Sequence, residues 1–447
     1  MKSTREHIAD ILTNIEKEQS YMQLVLKAEL ENFEVKDRAF INEIIYGTIK
    51  YRITIDYIIN QFSKTPINKM KPFIRSVMRM SVYQIMYLDK VPASAAINEA
   101  VKIVHRRKMS NLSGFINGVL RNIDRNKESI VYPDDSKNPI SHLSVIYSVP
   151  EWLLEMWTQD YGIEVTKRIC ESLNERAKVC IRINSLVATK EEVLAELKEL
   201  GIDSETGELL PGESMYITGA TSIAQMDSFK QGKWAVQDES ATLVGYVVDP
   251  KAGEIVLDMC SAPGGKSTHM AMLMQNKGMI MSADVHEHKM EIIQKNAKRL
   301  GVEIIEPVLQ DGTKINEAWK EKFDKVLLDA PCSGLGIIKR KPDIRYSKTL
   351  EDVKAIAQLQ EKLLENAVCY LKQDGILVYS TCTISKQENE GIIKCAVEKL
   401  GLELDSIEEY MPNILKPYIE NKATIQIMPF MANTDGFFIA RFRKRGN

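Results

Sequence analysis

Two cysteines stand where a thiol can do chemistry. Cys332 lies in Asp329-Ala330-Pro331-Cys332-Ser333-Gly334 and Cys382 in Tyr379-Ser380-Thr381-Cys382-Thr383, each just past a short apolar run that reads as a strand. A buried, inert cysteine is the commoner use of this residue. Two at strand tips, both flanked by small and polar residues, favour a reactive pair instead. Only a few per cent of an ordinary thiol is ionised near neutral pH, and a nearby cation or helix N-terminus raises that share. Cys170, Cys369 and Cys395 fall on helical patterns, Cys180 mid-strand and Cys260 in a glycine loop, so they are weaker candidates.

That glycine loop is a second centre. In an open α/β sheet, ligands bind beyond the carboxyl ends of the strands. Cys260, Ser261, Ala262, Pro263, Gly264, Gly265 and Lys266 follow the apolar run Ile255–Met259, and a helical pattern starts just after them. The paired glycines let the backbone approach a ligand closely. Asp284, twenty residues past Gly264 and directly after the next apolar run, is placed to hydrogen-bond ribose hydroxyls. Asp311-Gly312 follows the third run and either faces an adenine or forms an ordinary strand-to-helix turn. A phosphate-binding P-loop needs a glycine five residues before Gly265, where Cys260 stands, and the full GxGxxG dinucleotide pattern is missing too. What remains is a nucleoside grip without a phosphate cradle. That fits S-adenosylmethionine, whose ribose needs an acid and whose sulfonium carries no phosphate. His286 and His288 form an HxH, but no further ligand-like residues lie near them, so no metal is expected.

A thiolate beside a sulfonium methyl donor has an obvious use on a pyrimidine. C5 of cytosine is too weak a nucleophile to take a methyl group unaided. Thiolate addition at C6 turns C5 into an enamine carbon that attacks the methyl, and loss of the C5 proton then expels the thiolate. A carboxyl group at N3 stabilises the adduct, and Asp329 is placed for this. The base must leave its stack to be reached. The chemistry alone leaves open which of Cys332 and Cys382 attacks.

The elements that position these residues follow from periodicity. From Gly232, strand candidates Ile255–Met259, Met279–Ala283, Ile304–Leu309, Lys325–Leu328 and Ile376–Ser380 mostly alternate with segments of helical length. This is the pattern of a doubly wound, mainly parallel sheet, and Gly436–Lys444 alternates as a late strand would. Residues 1–128 read as all-helical, with apolar residues three and four apart at Ile8, Ile11, Leu12 and Ile15. Residues 129–150, with Pro133, Asp134, Asp135, Asn138 and Pro139, read as a linker. Residues 151–230 mix helices with the short strands VCIRIN and MYITG as a small α+β module, and 231–447 form the α/β domain. The expected fold is multidomain.

Composition sets outer bounds. At 447 residues, 44% hydrophobic and 27% charged, the chain is neither disordered nor fibrous. No run of about 18 apolar residues suggests a membrane span, and the first twenty residues lack a secretory h-region. Seven cysteines without a CxxC pair argue against a disulfide framework or zinc ribbon. A cytoplasmic protein with reduced thiols is expected. The net charge of −2 hides an asymmetry, with 22 Lys+Arg against 16 Asp+Glu in Met1–Pro150 and 37 against 45 beyond it. Within Val101–Asn126, Lys102, Arg106, Arg107, Lys108, Arg121 and Arg125 face Asp124 alone. With few carboxylates to neutralise it, that stretch suits phosphate contacts.

DMCSAPGGKST, DAPCSG and YSTCT, in this order and spacing, resemble the RNA cytosine-5 methyltransferases. The resemblance extends to Arg182-Ile183-Asn184 as an RxN element, to Gln237-Asp238-Glu239-Ser240, and to Arg340-Lys341-Pro342-Asp343-Ile344 as a substrate loop. It also takes in Glu388-Asn389-Glu390 and Asp435-Gly436-Phe437-Phe438. INEIIYGTIKYR and INGVLRNI look like the NusB-type helical RNA-binding domain. That domain is joined to this catalytic module in bacterial 16S ribosomal RNA methyltransferases of the Sun type. The resemblance therefore implies an all-α NusB-like domain, a small α+β module and a Rossmann-like, S-adenosylmethionine-dependent methyltransferase domain. Its implied reaction is methylation of C5 of a 16S cytosine, position 967 in that family, without a metal. Cys382 becomes the nucleophile and Cys332 the residue that helps release product. Cys260–Lys266, Asp284, Asp311 and Asp329 contact the cofactor, Asp329 also the base. To Arg106, Arg107, Lys108 and Arg121 it adds Arg182, Asn184, Arg340 and Lys341 as RNA contacts. The expected partner is 16S ribosomal RNA or a small-subunit precursor, bound by a monomer away from any membrane. The same chemistry on transfer RNA is one alternative. A non-catalytic RNA-binding or antitermination factor is another, against which the cysteine pair, Asp329 and the glycine loop count.

Overall fold

The computed structural model describes residues 2–18, 22–30, 33–220 and 223–446. They form two units, one of Met1–Glu175 with Arg340–Ser347, the other of Arg176–Lys339 with Lys348–Asn447. Among the described residues no helix is long and apolar enough to cross a membrane.

The first unit is helical: α1 (Thr4–Glu18), α2 (Met22–Leu30), α3 (Val35–Lys50), α4 (Arg52–Phe62), α5 (Pro72–Tyr87), α6 (Ala93–Arg106), α7 (Ser113–Arg125), α8 (Pro139–Tyr147), α9 (Glu151–Tyr161) and α10 (Ile163–Leu173). Apolar stripes three and four residues apart explain why these helices assemble. Ile8, Ile11 and Leu12 meet Ile41, Ile44, Ile45, Ile55, Ile58 and Ile59 in one buried core. The segment Arg340–Ser347 joins this unit from far along the chain. Arg345 is fully buried and its Nη1 donates to the carbonyls of Lys50 (3.3 Å), Tyr147 (3.1 Å) and Ser148 (2.8 Å). Arg52 lies over the Tyr346 ring at 3.7 Å.

One expectation needs correcting. Residues 139–147, read as linker, are helix α8. The Asn-Pro pair that suggested a loop is in fact a helix start: the Asn138 side chain accepts from Ser141 N and Pro139 occupies the first turn. Thr54 Oγ1 donates to Val145 O at 2.6 Å, tying α8 to α4. Helices α9 and α10, expected in the α+β module, pack with the first unit.

In the second unit, β1 (Val179–Ile183), β2 (Asp203–Thr206), β3 (Ser214–Thr218) and β4 (Trp234–Val236) form an antiparallel sheet in the order β2-β3-β1-β4. Helix α11 (Lys190–Glu199) is started by a capping box of Thr189 and Glu192. The main sheet holds β5 (Ile255–Asp258), β6 (Met279–Asp284), β7 (Ile305–Leu309), β8 (Phe323–Asp329), β9 (Leu371–Thr381), β10 (Glu403–Leu404), β11 (Ile419–Glu420), β12 (Thr424–Ile427) and β13 (Phe437–Arg443). Its order is β11-β12-β13-β9-β8-β5-β6-β7, with β10 beside β13. Strands β5 to β9 pair in parallel, as their apolar runs suggested. The late strand β13 pairs antiparallel with β9. The remaining helices are α12 (Asp227–Lys230), α13 (Glu239–Val248), α14 (Gly265–Leu273), α15 (Glu287–Arg299), α16 (Ile344–Ser347, in the first unit), α17 (Leu350–Tyr370) and α18 (Glu390–Glu398).

One buried acid joins the small sheet to the main one. Glu239, at the start of α13, is fully buried. It accepts from the backbone N–H of Glu208, Leu209 and Leu210, from Ser214 Oγ at 2.5 Å and from Tyr216 OH at 2.6 Å. Removing it strands several buried donors, each worth about 1–3 kcal/mol. We expect Glu239→Ala to lower the unfolding free energy by about 3 kcal/mol or more, read as a shift in denaturant midpoint. An unshifted midpoint sinks the idea.

Candidate active site

The site is built on strand ends. Sheet order β9-β8-β5-β6-β7 means that the chain winds outward from β5 to β7 and then crosses back to β8 on the other side of β5. The crevice between β5 and β8 is therefore the topological switch point, where such sheets bind ligands. The loop after β5 and the end of β8 meet there: Lys266 Nζ lies 2.7 Å from Asp329 Oδ2. Ser380 Oγ donates to Asp329 Oδ1 at 2.7 Å. Burial pulls the Lys266 ammonium down, but the Asp329 carboxylate outweighs it and holds the lysine above its usual value. The Lys266 ammonium also lies 5.2 Å from the centre of the Phe437 ring.

Register brings the two cysteines together. Asp329 pairs with Ser380 across β8 and β9, so Cys332, three residues on, and Cys382, two residues on, project from adjacent tips. Their sulfurs are 3.3 Å apart, and both are part-exposed. The bond to Cys382, together with burial, pushes the Cys332 thiol well above its usual range.

On the other side of the crevice, Ser261 donates to Ala283 O through both N (2.9 Å) and Oγ (3.1 Å), fixing the glycine loop to the end of β6. The Ala262–Pro263 peptide is cis. Gly264 takes φ +94°, a conformation that side-chain-bearing residues avoid, and this turn starts α14. Asp258 is buried beneath the loop, with Oδ2 accepting from Ser267 Oγ at 2.6 Å and Oδ1 without a partner. Burial pushes Asp258 up to about 7, against the bond from Ser267. Asp284 ends β6 with only 6% exposure, accepting from His286 N and Lys289 Nζ, both at 3.2 Å. Asp311 follows β7, where Thr313 Oγ1 donates to it at 2.7 Å and holds its carboxyl below the usual range. The edge thus runs from two thiols, through an ion pair and a glycine turn, to two acids. Among the described residues no cluster is arranged to hold a metal ion. Sequence reasoning missed Ser380, Gln360 and Phe437, although Ser380 and Phe437 lie inside the motifs it quoted.

The residues expected to touch RNA divide. Arg182 and Asn184 are buried. Arg182 Nε donates to Gln237 Oε1 at 3.0 Å, and Asn184 Nδ2 to the carbonyls of Gly232 and Leu300. Both side chains are taken up by the core, Arg182 on β1 and Asn184 directly after it, and neither is exposed to a substrate. Arg106 and Arg107 are not short of carboxylates. Glu6 accepts from Arg106 Nε (2.8 Å) and Arg107 Nε (2.7 Å), and Asp10 from Arg107 Nη2 (2.5 Å). Lys108 and Arg121 are exposed, and Arg340 and Lys341 lie in the segment that joins the first unit.

Compared with known proteins, residues 245–443 match the family 16S rRNA methyltransferase RsmB/F, and residues 2–125 match the NusB family. Residues 149–224 match the ferredoxin-like domain of RsmF/B-like methyltransferases. The chain is 39% identical to the probable ribosomal RNA small subunit methyltransferase B of Bacillus subtilis (strain 168), covering 99% of each. It is 33% identical to the protein of that name from Synechocystis sp., covering 99% of this chain and 100% of the other. The solved structure of NSun6 from Pyrococcus horikoshii with SFG is similar with a TM-score of 0.60 at 26% identity, over 67% of this chain and 99% of that one.

The pairing of Glu6 carries a pH signature. Burial alone pushes the Glu6 carboxyl up, but the bonds from Arg106 and Arg107 outweigh it and hold it below its usual 4.5. A depressed carboxyl adds stability above its unfolded value and loses it as pH falls through the folded one. Arg106→Gln with Arg107→Gln should therefore cost the first unit about 1–3 kcal/mol at pH 7, and the loss should shrink well below pH 4.5. Thermal midpoints at pH 7 and pH 3 measure this. An equal loss at both rules out the pairing as its source.

Proposed function

The chain belongs to the small-subunit ribosomal RNA methyltransferase B family, and from that premise we propose that it methylates C5 of one 16S cytosine through a covalent cysteine–C6 adduct. Position 967 is the family expectation. The observation that carries this reading is the pair of thiols 3.3 Å apart, beside the Lys266–Asp329 ion pair.

S-adenosylmethionine, when bound, supplies an electrophilic methyl group. The residues along the β5, β6 and β7 ends fit it: Gly264 opens a turn that a backbone ligand contact needs, and Asp284 is an acid set for the ribose. Cys382, as thiolate, adds to C6 of a base that has left its stack. The addition places negative charge on N3, which the Lys266 ammonium offsets while the Asp329 carboxyl, in its protonated form, donates its proton to N3. Once C5 is methylated, a water molecule takes the C5 proton, the C5–H electron pair forms the C5–C6 double bond, and the Cys382–C6 bond breaks with its pair on sulfur. Cys332, protonated and in contact with it, donates to the departing sulfur and so eases release.

Cys382→Ala should abolish methylation and form no covalent RNA adduct. Cys332→Ala should attack and methylate but stall before release, so a denaturation-resistant complex accumulates on a gel with labelled RNA. An adduct with Cys382→Ala and none with Cys332→Ala reverses the two roles. Independently, Asp284→Ala should weaken S-adenosylmethionine binding by about 1.5–3 kcal/mol, the range for hydrogen bonds to a charged group. Calorimetry with unchanged affinity moves the ribose elsewhere.

A further inference from the structure

The β8/β9 ladder stops short of the cysteines: its last cross-bond there is Ala330 N to Ser380 O at 2.9 Å. Beyond it, two chain tips must be held at a fixed separation by something else. Glu388 stands between them, fully buried. Its Oε2 accepts from Ser333 N at 2.8 Å, and its Oε1 from Ser333 Oγ at 2.5 Å and Thr383 Oγ1 at 3.2 Å. Ser333 and Thr383 are the residues that directly follow Cys332 and Cys382, so one carboxylate grips both tips. The two hydroxyl oxygens also stand 2.8 Å apart, so their two protons are shared between each other and Glu388. Behind them Gln360 Nε2, on the buried face of α17, donates to Glu388 Oε2 at 3.2 Å and to Pro331 O at 2.9 Å. Gly336 N to Cys382 O, at 3.0 Å, is a further tie.

All four donors to Glu388 are neutral. Burial pushes its carboxyl above the usual value against those bonds, so this is an expensive residue to keep for packing alone. A carboxylate is acceptor-only on both oxygens, which is what three converging donors from two tips require. An amide offers one acceptor oxygen and retains part of the grip. An alkyl group retains none.

We propose that Glu388, backed by Gln360, is the positioning residue that sets the separation of Cys332 and Cys382 for attack and release. The inference rests on the pair being the reacting thiols. Displacement of a reacting group by about 1 Å can cost about a hundredfold in rate, so loss of the grip has a catalytic price without any contact between Glu388 and substrate.

The test uses the full chain and a readout independent of catalysis. Diamide, an azo oxidant, takes two electrons and two protons from the two thiols, becoming a hydrazine as the Cys332–Cys382 disulfide forms. Peptide mapping gives the rate of closure. Glu388→Ala should keep its S-adenosylmethionine affinity, close the disulfide about tenfold or more slowly and lose about tenfold or more in kcat with KM for the cofactor unchanged. Glu388→Gln should recover much of both rates. Should the alanine variant lose cofactor affinity as well, the glutamine variant carries the same comparison. An unchanged disulfide rate overturns the positioning role. A slowed disulfide rate with full methyl transfer overturns the reading of the pair as the reacting thiols instead, and the proposal falls with it.

Discussion

In the parallel pairing of β8 with β9, Leu328 lies opposite Tyr379 and Asp329 opposite Ser380. Strand register is quantised: a slip of one residue turns every side chain to the opposite face. Here such a slip would separate Ser380 from Asp329, take the Asp329 carboxylate away from Lys266 and part the two sulfurs. The apolar residues that fix the register, Val326, Leu327 and Leu328 against Leu377, Val378 and Tyr379, are buried on both faces. Ordinary core packing thereby sets the geometry of the reacting groups. The crossover that places β8 on the far side of β5 adds the other half, since it opens the crevice in which Lys266 and Asp329 meet.

How much of this is legible from the sequence depends on how far each interaction reaches along the chain. Strand ends bearing Cys260–Lys266, Asp284, Asp329 and Cys382 are visible because an apolar run followed by small and polar residues is a local pattern. The same locality explains the failures. Arg106 and Arg107 look unneutralised in their own window, yet their acids come from α1, about a hundred residues earlier. Arg182 and Asn184 look like substrate contacts in an RxN element, yet both are buried, and their partners come from the chain around 232–237 and from Leu300. Asn138-Pro139 carries both a loop signal and a helix-start signal, and only the packing of α8 on α4 decides between them.

Glu239, Glu388 and Arg345 extend this point. Each is a charged side chain buried completely, and each draws its hydrogen bonds from separate segments, although Arg345 bonds through Nη1 alone. Glu239 gathers residues 208–216, Glu388 gathers 333, 360 and 383, and Arg345 gathers the carbonyls of 50, 147 and 148. Their main partners are neutral backbone and hydroxyl or amide groups, so Coulomb attraction to a counter-ion does not repay the desolvation. Directional bonds do, and only when every segment arrives in one arrangement. Apolar packing tolerates many near-equivalent arrangements, whereas a buried charge with three to five converging partners tolerates few. Helices and strands of this chain are specified by local periodicity. Where loops and termini of those elements must meet to within the reach of a methyl transfer, the chain relies on buried charges whose partners no local window can reveal.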